Sequence, residues 1–335
     1  MNTQFVPIGD LPLRHGGLLP GARLAYGSEG RLASDGRNAV LLTHGFTSSH
    51  LFAAANGWGS LIGPGRAIDT DRVFVVSSNM LGSSHGSTAP GSINPASGKP
   101  YGPDFPSITV SDIVAAQRRM LDVLGVKQLA AVIGPSYGGL QAFTWGVEHA
   151  DFVRNIIPVE TATQGQVRFD DQGTLRQFEQ DPNWNGGHCY ANGGILPTMT
   201  ALREQTLRRY GAEQGLRASG MNQTQVAAEI RRQALEWAKV FDPNSLLALG
   251  RAINSYDVRG ELGSIKARVL YVLSRTDALF PPSLAQNVMP ALAAAGVDAR
   301  YFEIDTEHGH LGSDVDVAKW APVLAAFLRQ DPALA

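Results

Sequence analysis

Six short runs of contiguous apolar and β-branched residues recur along this chain, and each predicts a buried strand. Segments with apolar residues at helical spacing separate them, as at Leu140, Phe143 and Val147. Strands that are apolar throughout are typical of a parallel sheet with helices on both faces. The sequence therefore predicts an α/β fold with a mostly parallel, doubly wound sheet. The runs are 39–43, 73–77, 129–133, 155–159, 268–273 and 299–304.

One long segment, residues 161–255, interrupts this alternation of strands and helices. It contains no convincing strand, and its helical candidates are 196–210, 224–241 and 244–254. Because strands resume after it, we predict a sheet core from 1–160 and 256–335 that carries 161–255 as a helical lid. A separate helical domain is the alternative.

Composition limits the classes of function. Lys and Arg number 28 and Asp and Glu 30, a net charge of −2, which argues against nucleic acid or an anionic membrane as a partner. No apolar run approaches the ~18 residues of a membrane span, and no signal peptide is recognisable, so we expect a soluble cytoplasmic protein. One Cys argues against a disulfide framework or a multi-Cys zinc site. Without a dinucleotide or phosphate-loop motif, no cofactor is expected.

The segment 134–139 reads Gly-Pro-Ser-Tyr-Gly-Gly and carries the sharpest chemical signal. It follows the predicted strand 129–133 and precedes a predicted helix, the context of a Gly-x-Ser-x-Gly nucleophile elbow. A sharp turn lifts the serine hydroxyl above the sheet, and the glycines allow backbones to approach closely. This pattern predicts Ser136 as the nucleophile.

An acid and a base follow in the chain order that this architecture uses. Asp277 and His310 each come just after a predicted strand, where open α/β sheets build their sites. We predict that His310 takes the proton of Ser136 and that Asp277 orients the imidazole. Glu160 is an alternative acid and His308 an alternative base.

An oxyanion hole requires two backbone donors. The N–H of Tyr137, directly after the nucleophile, is the first candidate. The second is the N–H of Phe46, in the loop after strand 39–43, where Gly45 is expected to provide a tight backbone.

Several segments of the chain are similar to the homoserine O-acetyltransferase family of the α/β-hydrolase superfamily. The resemblance implies acyl transfer through an acyl-serine intermediate, a helical lid and a homodimer. It covers a long Gly-, Ser- and Pro-rich stretch, the elbow, part of the lid and the acid and base motifs. These segments are 79–106, 134–142, 181–187, 277–281 and 309–310.

The chain also departs from the family pattern. Leu311 follows His310, where the family carries an Asp that is expected to hold the substrate ammonium, and Tyr137 replaces the usual Met. Arg203 and Tyr210 keep a family spacing that implies a carboxylate site. A solvated helix position for Arg203 is the alternative.

Because Leu311 cannot bind an ammonium group, the sequence favours a serine esterase that hydrolyses small acyl esters, above all acetates. A small-molecule ester is then the expected partner. The alternatives are homoserine O-acetyltransferase or a related acetyl-CoA-dependent acyltransferase, and a non-catalytic binding module of the same fold.

Overall fold

The computed structural model describes residues 1–55, 57–165 and 168–331, and the remaining positions of the predicted core and lid lie outside the described residues. Its centre is an eight-stranded sheet, and a separate pair of two-residue strands lies beside it. The strands are β1 (Gln4–Pro12), β2 (Leu18–Glu29), β3 (Ala39–Thr43), β4 (Ile62–Gly63), β5 (Ile68–Asp69), β6 (Phe74–Ser78), β7 (Leu129–Pro135), β8 (Asn155–Val159), β9 (Arg268–Ser274) and β10 (Ala299–Ile304).

The main sheet has the order β1-β2-β6-β3-β7-β8-β9-β10. The last six strands in this order, β6, β3, β7, β8, β9 and β10, are mutually parallel. All six are strands predicted from the sequence, although β6 begins at Phe74, one residue later than expected. Within β3, Leu41 packs into one apolar cluster and Leu42 into another, on opposite faces. The predicted α/β class and mostly parallel sheet are therefore confirmed.

The sequence did not predict the antiparallel hairpin β1–β2. Gly and Pro interrupt both strands, and the pairing shifts register between Pro7 and Gly9 and again between Gly9 and Leu11. These irregularities interrupt the alternation of apolar and polar residues that indicates a strand in a sequence. Strand β2 pairs antiparallel with β6 and so extends the parallel sheet by two strands.

Helices cover both faces of the sheet. Residues of α1, α2 and α8 contribute to one apolar cluster, and Trp320, Leu324 and Phe327 of α10 contribute to the other. No helix in the described part of the chain is long and apolar enough to cross a bilayer. The helices are α1 (Val110–Val123), α2 (Tyr137–Glu148), α3 (Asp171–Glu179), α4 (Leu196–Arg209), α5 (Ala212–Ala218), α6 (Gln223–Ala238), α7 (Pro243–Asn254), α8 (Ala285–Ala294), α9 (Gly312–Val315) and α10 (Val317–Leu328).

The segment between β8 and β9, here called the insertion (161–255), holds helices α3 to α7. Its described part contains no strand, only a single bridge between Gln164 and Asp257. Helices α4, α5 and α6 share an apolar cluster of their own, the insertion cluster. Other insertion side chains, such as Phe178 and Met199, join the large cluster of the sheet core. The division into core and lid remains a prediction. The insertion cluster comprises Leu207, Ala212, Val226, Ile230 and Ala234.

Candidate active site

Ser136 lies on the turn between β7 and α2. Its backbone has φ 56° and ψ −119°, a conformation that is strained for a residue with a side chain. The backbone N–H of Ser136 donates to the carbonyl of Val159, which ties the turn to β8. Helix α2 begins at Tyr137, directly after the serine, so its N-terminus is adjacent to the hydroxyl. This is the local geometry expected of a nucleophile elbow.

The glycines beside Ser136 are required by close contacts with the ends of β3 and β8. A Cβ on Gly138 would lie 2.0 Å from the backbone oxygen of Thr43, and one on Gly134 would lie 2.3 Å from the same atom. A Cβ on Gly139 would lie 2.4 Å from the Thr161 side chain. The turn therefore has no room for larger residues at these three positions.

Asp277 and His310 form a direct pair. His310 Nδ1 lies 2.7 Å from Asp277 Oδ2, and both side chains are buried. Asp277 Oδ1 accepts from the backbone N–H groups of Leu279 and Phe280 at 2.8 and 3.1 Å. Because the carboxylate accepts these bonds, His310 donates through Nδ1, and Nε2 is left as the proton-accepting nitrogen.

The surroundings of His310 favour its protonated form. Burial by itself lowers the pKa of the imidazole, but the hydrogen bond and charge of Asp277, with the charge of Glu160, outweigh it and raise the pKa above its usual value. The Phe280 ring stacks on the imidazole at 5.5 Å, and the Tyr210 ring lies 5.1 Å away. These contacts hold the ring in one orientation.

His308, the alternative base, and Glu160, the alternative acid, bond to residues outside the Asp277–His310 pair. His308 Nε2 lies 4.0 Å from Asp316 Oδ2, and its ring is packed beside Gly215 of the insertion. Glu160 is buried, but it bonds to Ser274 and Ser313 rather than to His310. The geometry therefore favours Asp277 and His310 as the acid and base.

The two residues predicted to supply oxyanion donors, Phe46 and Tyr137, line the same cavity as Ser136. Within the described residues, no hydrogen bond uses the amide of Phe46 or Tyr137. The Phe46 ring stacks on the Tyr137 ring at 5.9 Å. Burial lowers the pKa of His44 to about 3, so this side chain is neutral where it bonds Gly45 O and the Met80 amide. His44 thereby fixes the Phe46 loop.

Gly45 departs from its expected role. A Cβ at this position would meet nothing closer than 3.8 Å, an ordinary contact, at Pro135 O and Ser136 Cβ. A tight backbone at Gly45 is therefore not what the loop requires, and the shape of the loop comes from His44.

Ser136 and His310 line the same cavity, which encloses about 360 Å³ and is more apolar than polar. Phe46 and Tyr137 form part of its wall at the elbow, and the insertion supplies most of the rest. Arg168 and Arg209 line it with exposed side chains, and Asp170 is the one carboxylate among the lining residues that the structure describes. The charge of the cavity rim is therefore net positive.

Arg203 is not a solvated helix residue. Its Nη1 donates to Thr47 Oγ1 at 2.7 Å, and its guanidinium lies 5.8 Å from the Tyr210 ring and 5.1 Å from the Trp237 ring. Its Nε is buried and has no hydrogen-bond partner in the described chain. Burial lowers the pKa of this guanidinium, and no described carboxylate pairs with it. Arg203 itself does not line the cavity, but it lies behind Thr47 and Tyr210 of the wall. A guanidinium there without a carboxylate partner is suited to an anionic ligand.

Leu311 packs in another direction. Its side chain is partly buried and packs against the insertion cluster, as Leu216 and Met221 also do. It is not among the described residues that line the cavity. Sequence reasoning could place Leu311 beside His310, but it could not show which way the side chain turns.

Comparison with known proteins shows which proteins this chain is similar to. A family model described as alpha/beta hydrolase fold matches residues 38–311. The homoserine O-acetyltransferase of Moorella thermoacetica is 34% identical over 96% of this chain and 94% of its own length. The homoserine O-succinyltransferase of Methylibium petroleiphilum is 35% identical over 96% of this chain and 91% of its own. A crystal structure of esterase E22 is 28% identical, with a TM-score of 0.87 over 98% of this chain and 99% of its own.

These findings overturn the esterase prediction. The relatives at 34% and 35% identity are acyltransferases, whereas the esterase is a structural neighbour at 28%. The prediction was wrong because it depended on Leu311 as part of the acceptor site, and this side chain packs on the insertion instead. A triad forms the same acyl-serine in hydrolysis and transfer, so it cannot distinguish them.

Proposed function

Since the chain belongs to the homoserine O-acyltransferase family and has the alpha/beta hydrolase fold, we propose that it transfers a short acyl group from an acyl-CoA to the hydroxyl of homoserine. The observation that supports this most is the similarity to two such enzymes over 96% of the chain. The names of these relatives leave the acyl group as acetyl or succinyl.

In the first half-reaction, Ser136 Oγ attacks the thioester carbonyl while His310 Nε2 takes its proton. The oxyanion that forms accepts hydrogen bonds from the amides of Phe46 and Tyr137. When the intermediate collapses, the carbon–sulfur bond breaks and His310 returns the proton to the departing sulfur. CoA leaves as a thiol, and the acyl group stays on Ser136.

In the second half-reaction, the homoserine hydroxyl attacks the acyl-serine. His310 takes the proton of this hydroxyl, the same two amides hold the oxyanion, and the proton returns to Ser136 Oγ. The product is the O-acyl ester of homoserine, and the free serine is restored. Asp277 stabilises the imidazolium in both half-reactions through its bond to Nδ1.

We assign the carboxylate of homoserine to Arg203. The guanidinium has an unpartnered Nε and lies 5.8 Å from the Tyr210 ring, which in turn lies 5.1 Å from the His310 ring. A carboxylate held there remains close to the general base. This supports an acceptor that carries a carboxylate, as an amino acid does.

The proposed function is tested by incubating the protein with acetyl-CoA or succinyl-CoA, with and without homoserine, and measuring free CoA and acylated homoserine. We expect CoA release to require homoserine, with one donor preferred. CoA release at the same rate without homoserine, or no acyl-homoserine product, would contradict the proposal.

Replacing Arg203 by Gln should raise the KM for homoserine at least about 10-fold, because a charge-assisted hydrogen bond contributes about 1.5–3 kcal/mol. The rate at which the donor acylates Ser136 should stay within about twofold, since Arg203 acts on the acceptor. Arg208→Gln is the matched control: Arg208 lies on the same helix, is exposed and pairs with Glu204 and Glu213. Equal effects of the two substitutions on the KM for homoserine would contradict the assignment.

Replacing Arg168 and Arg209 together by Gln should raise the KM for acyl-CoA. Both exposed cations line the cavity, and the phosphates of CoA are the anionic part of the donor. We expect about a 2–5-fold change per cation at low salt, the magnitude of exposed ion pairs, and a smaller change at high salt. Arg208→Gln again serves as the control, and an increase in KM that is independent of salt would refute the electrostatic explanation.

A further inference from the structure

Glu160 is a buried carboxylate that the mechanism above does not use. It directly follows β8, with 1% of its surface exposed and a φ of 48°. A non-glycine residue in this region of backbone space is strained, and such strain persists only where the surroundings enforce it. An ionisable group of this kind next to a catalytic pair calls for an explanation.

The hydrogen bonds of Glu160 join the end of β9 to α9. Its Oε1 accepts from Ser274 Oγ, at the end of β9 and three residues before Asp277. The same oxygen accepts from the backbone N–H of Ser313 at 2.9 Å, and Oε2 accepts from Ser313 Oγ at 2.7 Å. Ser313 lies three residues after His310. One carboxylate thus binds the chain before the acid and the chain after the base.

The packing between these loops is equally close. A Cβ on Gly312 would lie 2.5 Å from Ser274 Oγ and 2.4 Å from Thr306 Cγ2. The chain that follows His310 therefore lies directly against the end of β9, and Glu160 hydrogen-bonds to both sides of this contact.

We propose that Glu160 is a positioning residue, which fixes the chain after His310 to the chain before Asp277 and places a second negative charge near the imidazole. The inference depends on the proposed role of His310 as general base. It does not depend on which acceptor the acyl group reaches.

The charges around the imidazole agree with this role. Burial is the main cause that raises the pKa of Glu160 to about 7, and the charge of His310 opposes it. Asp277 faces His310 from the β9 loop and Glu160 from the end of β8, while Tyr210 and Phe280 contribute their rings. An ionised Glu160 raises the pKa of His310, and a protonated His310 lowers the pKa of Glu160, so we expect the two groups to titrate as a coupled pair.

Glu160→Gln is the decisive variant. An amide oxygen can still accept from Ser274 and from the Ser313 N–H, and the Ser313 hydroxyl can rotate to accept from the new NH₂ group. The substitution removes the charge and keeps the shape. We measure the rate at which a fluorophosphonate labels Ser136 as a function of pH, because this rate requires neutral His310 and no acceptor. In Glu160→Gln, the acid limb of this pH–rate profile should move to lower pH by on the order of half a unit, because the pKa of His310 falls. The labelling rate on the high-pH plateau should stay within about threefold of the wild-type rate.

Two matched variants distinguish the effect of the Glu160 charge from the effect of its hydrogen bonds. Ser313→Ala removes one hydrogen bond and no charge, so the limb should stay where it is in the wild type. Glu229→Gln removes an exposed carboxylate that pairs with Arg232 and should change neither the limb nor the plateau. A Glu160→Gln limb that coincides with the wild-type limb, or a uniform loss of labelling at every pH, would leave Glu160 a purely structural residue and overturn the proposal.

An NMR titration of the His310 imidazole in the wild-type protein tests the same point without a variant. We expect two coupled steps, one from each group; a single step at the ordinary histidine pKa would overturn the proposal. The proposed function fails in a different way, through the absence of acyl-homoserine, while the labelling profile can still be measured.

Discussion

Ser136→Ala should lower kcat for acyl transfer by about 10⁴-fold or more and leave the fold intact. Without the hydroxyl no acyl-serine can form, and the remaining contribution is the binding of donor and acceptor. The substitution removes one oxygen from a residue that is not fully buried, so the thermal midpoint should hardly change. Steady-state release of CoA with homoserine present measures the effect, and circular dichroism checks the fold.

His310 and His308 supply a matched pair for the same test. His310→Gln should cost about 10³-fold or more in kcat, whereas His308→Gln should retain activity within a few fold. Because Ser136 and His310 act as a unit, the double substitution should cost no more than Ser136→Ala alone. A large loss from His308→Gln, with His310→Gln active, would transfer the role of base to the other histidine.

Gly138→Ala should be the most damaging single-methyl addition at the site. The new Cβ would lie 2.0 Å from Thr43 O and 2.8 Å from Thr43 C, and neither backbone atom can rotate away. Moving α2 away from β3 would displace the elbow and the Tyr137 amide together. We expect a loss of about 3 kcal/mol in the free energy of unfolding, at the upper end of overpacking effects.

Gly45→Ala is the control for Gly138→Ala. Gly45 lies across from the elbow, but its Cβ would have only ordinary contacts at 3.8 Å. The midpoint of urea unfolding should therefore fall strongly in Gly138→Ala and hardly change in Gly45→Ala. If both shift equally, close approach to β3 is not what requires glycine at position 138.

Much of the sheet and the elbow around Ser136 could be predicted from the sequence, because short stretches of neighbouring residues determine them. Each parallel strand is a contiguous apolar run, and helix α1 begins with a capping box formed by two residues only three positions apart, Thr109 and Asp112. The strand, turn and helix around Ser136 follow from the segment 134–139 and the apolar run 129–133 directly before it. The elbow is thus encoded locally.

The parts that could not be predicted depend on distant contacts. Glu160 stood out in the sequence as an alternative acid, but its partners are 114 and 153 residues away along the chain. The orientation of Leu311 is decided by helices of the insertion rather than by its neighbours. The orphan Nε of Arg203 appears only when Thr47 and Trp237 close around the side chain.

Leu311 connects the chain next to His310 with helices α4, α5 and α6 of the insertion. The residue after His310 is anchored in an apolar cluster that belongs to α4, α5 and α6, not to the sheet. An outward movement of these three helices would strain this contact, one residue away from His310. We therefore expect substitutions deep in the cluster, at Ile230 for example, to affect the reaction centre through Leu311, although Ile230 is not among the described residues that line the cavity.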